Sequence, residues 1–304
     1  MLATMNRAAL IVNPFASGVT EERLAAVERE LRRDVELAVT LTERPQHAIE
    51  LAREVEGADR VYVFGGDGLL NEVLNGLGED GVVGVLPGGH TNVVARALGV
   101  PLDPAAAARA LVSAAPRRIS LGRANGRRFA FAAGVGFDAE LVRRVDRLGR
   151  RDDGRRPGDL AFTWEAAKLI AARRGRYEPA IEIEGLGRAA FAIVANGYPY
   201  SYAGSRPLRL APEARFELGL DLVAPQRLAP RAIPRFVGYA FRGGGEQAKD
   251  ILYRHDLDRI EMRCDAPLPL QVDGEDLGDV DAVLFEAERG AVSILAPDAG
   301  TLTA

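Results

Sequence analysis

Val61-Tyr-Val-Phe-Gly-Gly-Asp-Gly-Leu-Leu-Asn-Glu-Val-Leu-Asn-Gly76 is the stretch that decides the fold. Val61 to Phe64 is short, β-branched and aromatic, the texture of a buried strand. Gly65, Gly66, Asp67 and Gly68 form a turn that few side chains enter. Beyond it, apolar residues at Leu70, Val73, Leu74 and Leu77 predict a helix running from Leu69 to Gly76 or Gly78. A strand, a glycine turn and a helix start together make an anion site, because free backbone N–H groups and the helix dipole point at one spot. Glycines let a phosphate approach the backbone closely. Asp67 is the odd member, since an acid beside phosphate repels it unless it handles a proton or a metal ion. A plain βα turn is the competing reading, but such a turn needs neither three glycines nor an acid.

Working outward, the pattern repeats. Ala8–Val12 reads as a strand and runs into Asn13-Pro-Phe-Ala-Ser-Gly18, a turn-rich loop. Glu21–Arg33 has helical spacing, Val35–Leu41 alternates like a strand, and Thr42 opens a polar turn before a helix over His47–Val55. Val82–Leu86 predicts a fourth strand, followed by Pro87-Gly-Gly-His-Thr-Asn92 and a helix over Val93–Leu98. Asp103 caps a predicted helix over Pro104–Ser113. Four strand–helix repeats imply a mostly parallel sheet covered by helices, with ligands at the carboxyl ends of the strands. The loops at Asn13, Gly65 and Pro87 all follow strands, so they gather at one edge.

After about Ser120 the texture changes to short strands separated by turns. These fall over Arg128–Ala133, Ala180–Glu184, Ala189–Val194, Leu218–Val223, Ile260–Cys264 and Leu268–Val272, the pattern of an antiparallel sheet or sandwich. Helices are predicted over Asp159–Arg174 and Pro230–Phe241. The strand Ala291–Leu295 leaves open which domain it joins. The expected architecture is an N-terminal three-layer α/β nucleotide-binding domain over 1–120, with 290–304 as a candidate completion. A C-terminal antiparallel β-sandwich domain follows over 121–289.

Composition narrows the function. An apolar fraction of 47% and a charged fraction of 27% fit a globular chain, and 304 residues suffice for two domains. A net charge of −4 gives no global drive toward nucleic acid. The single cysteine, Cys264, excludes an internal disulfide and fits a reducing compartment. No apolar run is long enough to span a membrane, and Met1–Asn6 is too short and polar for a signal peptide. No spacing suggests zinc, and no motif suggests a covalent nucleophile. Arg143, Arg144, Arg147, Arg150, Arg151, Arg155 and Arg156 face only Asp146, Asp152 and Asp153, which reads as a solvated loop. The sharper reading is a membrane-surface patch, with Trp164 at the interface.

The chain resembles the diacylglycerol kinase catalytic family, the soluble bacterial lipid kinases. Gly65-Gly-Asp-Gly with Asn71-Glu72, Asn13-Pro14 with Ser17-Gly18, and Thr42 are similar to that family's nucleotide-contacting segments. So are Pro87-Gly-Gly-His-Thr-Asn92 with Ala95-Arg96, Gly134-Val-Gly-Phe-Asp138 and Asp273-Gly-Glu275. Gly-Gly-Asp-Gly alone also occurs in NAD kinases and phosphofructokinases; the ordered set is specific. The resemblance implies a cleft that binds ATP with Mg²⁺ and transfers a phosphoryl group to a lipid hydroxyl, with diacylglycerol the leading acceptor. It implies nucleotide contacts from Asn13, Pro14, Ser17, Gly18, Thr42, Gly65, Gly66, Asp67, Gly68, Leu69, Leu70, Asn71, Glu72, His90 and Thr91. It also implies that Glu275 is the general base, that Asp67 supports Mg²⁺ through water, and that the carbonyls of Arg215 and Leu220 lie at the metal. A cytoplasmic location with peripheral contact at the inner membrane face follows from the same likeness.

Three residues depart from the family's pattern. Leu69 and His90 stand where threonines are usual, and Leu218 stands where an aspartate supports the metal. A kinase for a sphingoid base, another glycerolipid or a polyprenyl-type alcohol stays open. So does a nucleotide-binding regulatory protein with little turnover. Asp273-Gly274 is by itself an ordinary hairpin signal, and His47 and His255 read as surface or helix residues.

Overall fold

The computed structural model describes residues 6–55, 58–78, 80–149, 159–243, 248 and 250–297. It divides into two compact units, Met1–Ile119 with Gly290–Ala304, and Ser120–Arg289.

The first unit alternates strand and helix: β1 (Asn6–Val12), α1 (Glu21–Leu31), β2 (Val35–Leu41), α2 (His47–Glu54), β3 (Arg60–Gly65), α3 (Asp67–Gly76) and β4 (Val82–Pro87). Two helices follow, α4 (Val93–Ala97) and α5 (Pro104–Val112). Leu10–Val12, Val61–Phe64, Val83, Val85 and Leu86 are all buried, the continuous apolar runs of strands covered on both faces. β2 alternates buried Val35 and Leu37 with exposed neighbours, as an edge strand does. Thr20 caps α1 by accepting the Arg23 N–H, and Asp103 caps α5 by accepting the Ala106 N–H. α3 starts at Asp67, two residues before the apolar spacing predicts, because extended Gly66 already ends the turn.

The strands run parallel in the order β2-β1-β3-β4. Val12 sits beside both Leu41 and Phe64, and Gly65 sits beside Pro87. The loops after all four strands therefore start at one level. β1 has β2 on one flank and β3 on the other, so the chain reverses direction across the sheet between β1 and β3. That switch point opens a crevice beyond the strand ends, and the Asn13 and Gly65 loops leave from its two sides.

The second unit is β-rich. It contains β5 (Pro116–Ala124), β6 (Arg127–Phe129), β7 (Ala132–Val135), α6 (Phe137–Arg147), α7 (Asp159–Ala172), β8 (Ile181–Ile183), β9 (Gly187–Ala189) and β10 (Ala192–Ala195). β11 (Ser201–Ala203), β12 (Arg206–Leu208), β13 (Leu220–Pro225), α8 (Ile233–Arg242), β14 (Ile251–Leu257), β15 (Arg259–Val272) and β16 (Glu275–Leu295) complete it. β14, β13, β10, β7 and β15 pair antiparallel in that order, and β15 pairs with β16. Phe129, Val135, Ile181, Leu222, Met262, Leu270 and Phe285 fill one core, and Phe191, Tyr239 and Tyr253 anchor a second. From Gly290 the chain returns to the first unit, where Ser293 and Ile294 pair in parallel with Val82 and Val83.

Three expectations need correction. Ile260–Cys264 and Leu268–Val272 are one strand, β15, whose pairing with β16 shifts between Arg263 and Leu268. β5, β11, β12, β14 and most of β16 fall where the sequence pattern predicts no strand. The first part of the arginine-rich run is not a solvated loop: Arg143, Arg144 and Arg147 lie on α6, which buries Ala139, Val142 and Val145. Arg143 grips Asp276 at 2.7 Å and Asp279 at 2.6 Å. Arg150, Arg151, Arg155 and Arg156 lie outside the described residues. Among the described residues no helix is long and apolar enough to cross a membrane.

Candidate functional site

In the first unit the post-strand loops are tied to one another through their backbones. Gly18 N–H donates to Gly88 O at 2.8 Å, and Gly88 N–H donates to Gly65 O at 2.7 Å. Asn13 N–H donates to Phe64 O at 3.1 Å, and Thr42 N–H to Val12 O at 2.8 Å. The glycines serve this contact. A Cβ on Gly89 would lie 2.5 Å from Gly66 Cα, and one on Gly18 would lie 2.7 Å from Gly88 O. Asn13, Gly18, Gly65, Gly66, Gly68, Thr91 and the exposed Pro14, Ser17 and His90 thus belong to adjoining loops at one end of the sheet. Thr42 is buried beside them.

The side chains of the central motif divide by direction. Asp67 Oδ2 accepts the Val93 N–H at 3.0 Å and Oδ1 accepts the Val94 N–H at 3.2 Å, so Asp67 caps α4. Burial raises its carboxyl above the usual range, opposed by those N–H groups and by Arg96. Glu72 accepts the Ala48 N–H at 3.2 Å and supports the start of α2, whose Gln46 N-cap makes no side-chain bond. Asn71 is fully buried and its Oδ1 accepts from Asn75 Nδ2 at 3.2 Å. Leu70 is fully buried, and Leu69 Cδ2 lies 2.6 Å from where a Gly65 Cβ would stand. Asn71, Glu72, Leu69 and Leu70 thus pack within the unit beneath the turn.

In the second unit Asp273 and Gly274 form the tip of the β15–β16 hairpin, with φ of 47° and 81°. Positive φ at both central residues is the turn that matches strand twist. Asp273 is buried and accepts three backbone N–H groups, from Ala130 at 2.6 Å, Phe131 at 3.0 Å and Ala132 at 3.2 Å. Glu275, half-buried at the start of β16, takes an ion pair from Arg127 Nη2 at 3.2 Å. Asp138 is joined to the same hairpin. Gln271 Oε1 accepts the Gly274 N–H at 2.9 Å, Gln271 Nε2 donates to Asp138 Oδ2 at 2.7 Å, and Tyr200 Oη donates to Asp138 Oδ1 at 2.6 Å. Burial pushes the Asp138 carboxyl up, against the hydrogen bonds from Tyr200 and Gln271.

The first unit's loops fall inside a stretch that matches a known family. A sequence profile described as "Diacylglycerol kinase catalytic domain" matches residues 7–124. The match spans less than half of the chain and lies within the stretch that holds the three post-strand loops. Beyond that stretch, the "Diacylglycerol kinase" of Bacillus subtilis (strain 168) is 28% identical over 281 residues, covering 89% of this chain and 90% of its own. A protein named "Probable lipid kinase YegS-like" from Pseudomonas aeruginosa is 28% identical over 293 residues, covering 95% of this chain and 93% of its own. A crystal structure from Bacillus anthracis str. Sterne has a TM-score of 0.76 at 23% identity, covering 97% of this chain and 98% of that one. That last likeness establishes the fold; together the sequence likenesses support a lipid kinase.

The stretch expected to lie at a metal, around Arg215 and Leu220, carries less than the loops do. The Arg215 carbonyl accepts the Leu218 N–H at 3.0 Å, and Leu220 is a buried residue of β13 paired with Leu257. Leu218 offers no ligand atom in its side chain. Asp221 is fully buried and committed: Tyr253 Oη donates to it at 2.5 Å, Asp256 N–H at 3.2 Å, and His255 Nδ1 lies 2.8 Å away. Among the described residues no group of three or more His, Cys, Asp and Glu is placed to hold a metal ion. With Leu218 at the position expected to support the metal, the Arg215 carbonyl accepting the Leu218 N–H and Asp221 committed to Tyr253, His255 and Asp256, this set does not fit a resident Mg²⁺.

Arg127 and Asp138 are the partners that motif reading passes over. Arg127 had a signal, since Asn125-Gly126 is a hairpin turn that returns β6 against β5 at Ala124 and Arg127. Asp138 had none beyond its place in Gly134-Val-Gly-Phe-Asp138, although a Cβ on Gly134 would lie 2.3 Å from its Oδ2.

Proposed function

We propose that the chain is an ATP-dependent lipid kinase that transfers the γ-phosphoryl group to the free hydroxyl of diacylglycerol, giving phosphatidic acid and ADP. The observation that carries this is the backbone braid through Gly18, Gly88 and Gly65 at the sheet's switch point. It holds glycine turns and the α3 start in one rigid frame, which is what phosphates need to be held still. The roles of Asn13, Pro14, Ser17, Gly18, Thr42, Gly65–Gly68, His90 and Thr91 in this reading are to line the nucleotide with backbone and short polar groups. Asp67 sets the distance between the Gly65 and Pro87 loops through its cap on α4.

Mg²⁺ belongs to this reading as the counterion that ATP carries on its phosphates, since it keeps several waters and is bound chiefly through phosphate oxygens. Glu275 accepts the proton of the lipid hydroxyl as its oxygen bonds to the γ-phosphorus and the bond to the β–γ bridging oxygen breaks. Arg127 holds the Glu275 carboxylate in place. The bland hairpin reading accounts for Asp273 and Gly274 but not for an ion-paired glutamate at the next position.

Leu69, Leu218 and the committed Asp221 favour a second reading, a nucleotide-binding protein with little turnover. Radiolabelled ATP with extracted lipids separates the two. Label in phosphatidic acid with wild type, lost in Glu275→Gln, supports the kinase. ATP binding without transfer to any lipid refutes it and leaves the second reading.

A further inference from the structure

α8 is apolar on two faces, and only one of them is used inside the unit. Inward, Phe236 and Tyr239 pack in the core with Phe191 and, together with Leu228 and Ile251, wall a cavity of about 330 Å³. Outward, Pro234, Val237 and Phe241 follow helical spacing on the solvent side, with Val237 46% and Phe241 40% exposed. The span Pro230–Arg242 holds Arg231, Arg235 and Arg242 and no acid. The hairpin of β11 and β12 lies against this helix, where the Arg209 N–H donates to Ala240 O at 2.6 Å. It adds Arg206 and Arg209, again without an acid between Ser201 and Leu210.

Arg206, Arg209, Arg231 and Arg242 are exposed and make no ion pair among the described residues, whereas Arg235 pairs with Asp250. This is a local cationic surface on a chain whose net charge is −4. Solvent-facing apolar residues ringed by arginines fit the boundary between lipid headgroups and acyl chains. We propose that α8 and the β11–β12 hairpin form the face by which the second unit seats on an anionic bilayer, with Val237 and Phe241 entering the boundary and the four arginines meeting lipid phosphates. The inference locates the partner surface of the lipid kinase reading and rests on it for its purpose. Of the arginine-rich run, Arg143 on α6 is already spent on Asp276 and Asp279, and Arg150, Arg151, Arg155 and Arg156 lie outside the described residues.

Co-sedimentation of the full chain with phosphatidylcholine vesicles, with and without phosphatidylglycerol, tests this. Wild type binds the anionic vesicles, and salt weakens the binding. The double substitution Val237→Glu with Phe241→Glu, and separately Arg206, Arg209, Arg231 and Arg242→Glu, lowers partition by about tenfold or more. Circular dichroism stays native, and phosphorylation of a dispersed short-chain diacylglycerol stays at the wild-type rate. Trp164→Glu on α7 serves as the comparison and retains binding. Unchanged partition in both α8 variants overturns the proposal. So does a wild-type dimer that these substitutions dissolve, which would assign the face to a second copy. Vesicle binding without transfer to any lipid would sink the kinase reading alone, and transfer to dispersed lipid without vesicle binding would sink this one alone.

Discussion

The carboxylate of Asp67 accepts the backbone N–H of Val93 at 3.0 Å, and its second oxygen takes the N–H of Val94 at 3.2 Å. Asn92, the N-cap residue just before α4, supplies no side-chain cap of its own. Asp67 therefore joins the Gly65 turn to the helix after the Pro87 loop by a bond that neither loop contains by itself. The acid that looks out of place beside phosphate has a structural use within the first unit.

This relationship separates two substitutions. Burial raises the Asp67 carboxyl above the ordinary 3.8, so the folded protein binds that proton more tightly than the unfolded chain does. The stability it contributes is thus fully present below pH 3.8 and is lost as pH rises through the raised value. Asp67→Asn offers one oxygen to two N–H groups and turns its amide NH2 toward the other, so it is expected to lose about 1 kcal/mol or more. Asp67→Ala leaves α4 uncapped, is expected to lose about 1–2 kcal/mol, and is expected to abolish phosphoryl transfer. Urea denaturation across pH reads the proton linkage: the gap between wild type and Asp67→Ala should widen as pH falls toward 3.8, and parallel curves contradict it.

Gly89→Ala should damage the nucleotide site without touching a ligand. Its Cβ would lie 2.5 Å from Gly66 Cα, a backbone atom that has no rotamer to yield. Overpacking of this kind costs about 1–3 kcal/mol, and the loops part. ATP affinity by calorimetry is expected to fall by about tenfold or more, equivalent to about 1.4 kcal/mol. Gly78→Ala is the control, since a Cβ there meets no heavy atom within 4 Å. Equal effects at both positions would remove the argument from close approach.

The first unit was legible because its strands are buried on both faces and so read as unbroken apolar runs, and because glycine turns mark where each ends. What the sequence could not disclose there is direction. Glu72 sits in the motif yet turns inward to the Ala48 N–H, a bond across 24 positions that no spacing encodes. The second unit was harder. Asp265-Ala-Pro267 interrupts β15 and makes one strand read as two. On α6 the arginines hide Ala139, Val142 and Val145, which carry the helical spacing. The partners of Asp273 are backbone N–H groups, which have no signature in the residue types that present them.

Asp273 and Glu275 differ in kind although they share a motif. Asp273→Ala strands three buried N–H groups, at a cost of about 1–3 kcal/mol each when unsatisfied. The variant is expected to lose about 3 kcal/mol or more and to melt early. Glu275→Gln keeps the shape and loses the partly exposed ion pair to Arg127, worth about 1 kcal/mol or less. It is expected to melt near wild type, to bind ATP, and to lose transfer. Thermal melts alongside the radiolabel assay decide this, and normal turnover in Glu275→Gln would remove that residue from the chemistry.

Acid sensitivity should centre on Glu288. Burial works to raise its carboxyl, and hydrogen bonds from Arg128 at 2.5 Å and Arg123 at 2.8 Å outweigh it, bringing it down to about 2. The ordinary value is 4.5, so the folded form holds the proton less tightly than the unfolded chain. The stability from this group is present above pH 4.5 and is lost as pH falls through about 2. A shift of that size corresponds to at most about 3 kcal/mol, since one unit is about 1.4 kcal/mol. Glu288→Gln removes it at neutral pH and leaves two arginines facing an amide. The wild-type and variant stability curves should therefore be furthest apart at neutral pH and converge toward pH 2. Curves that run parallel through that window would place the acid-labile contact elsewhere.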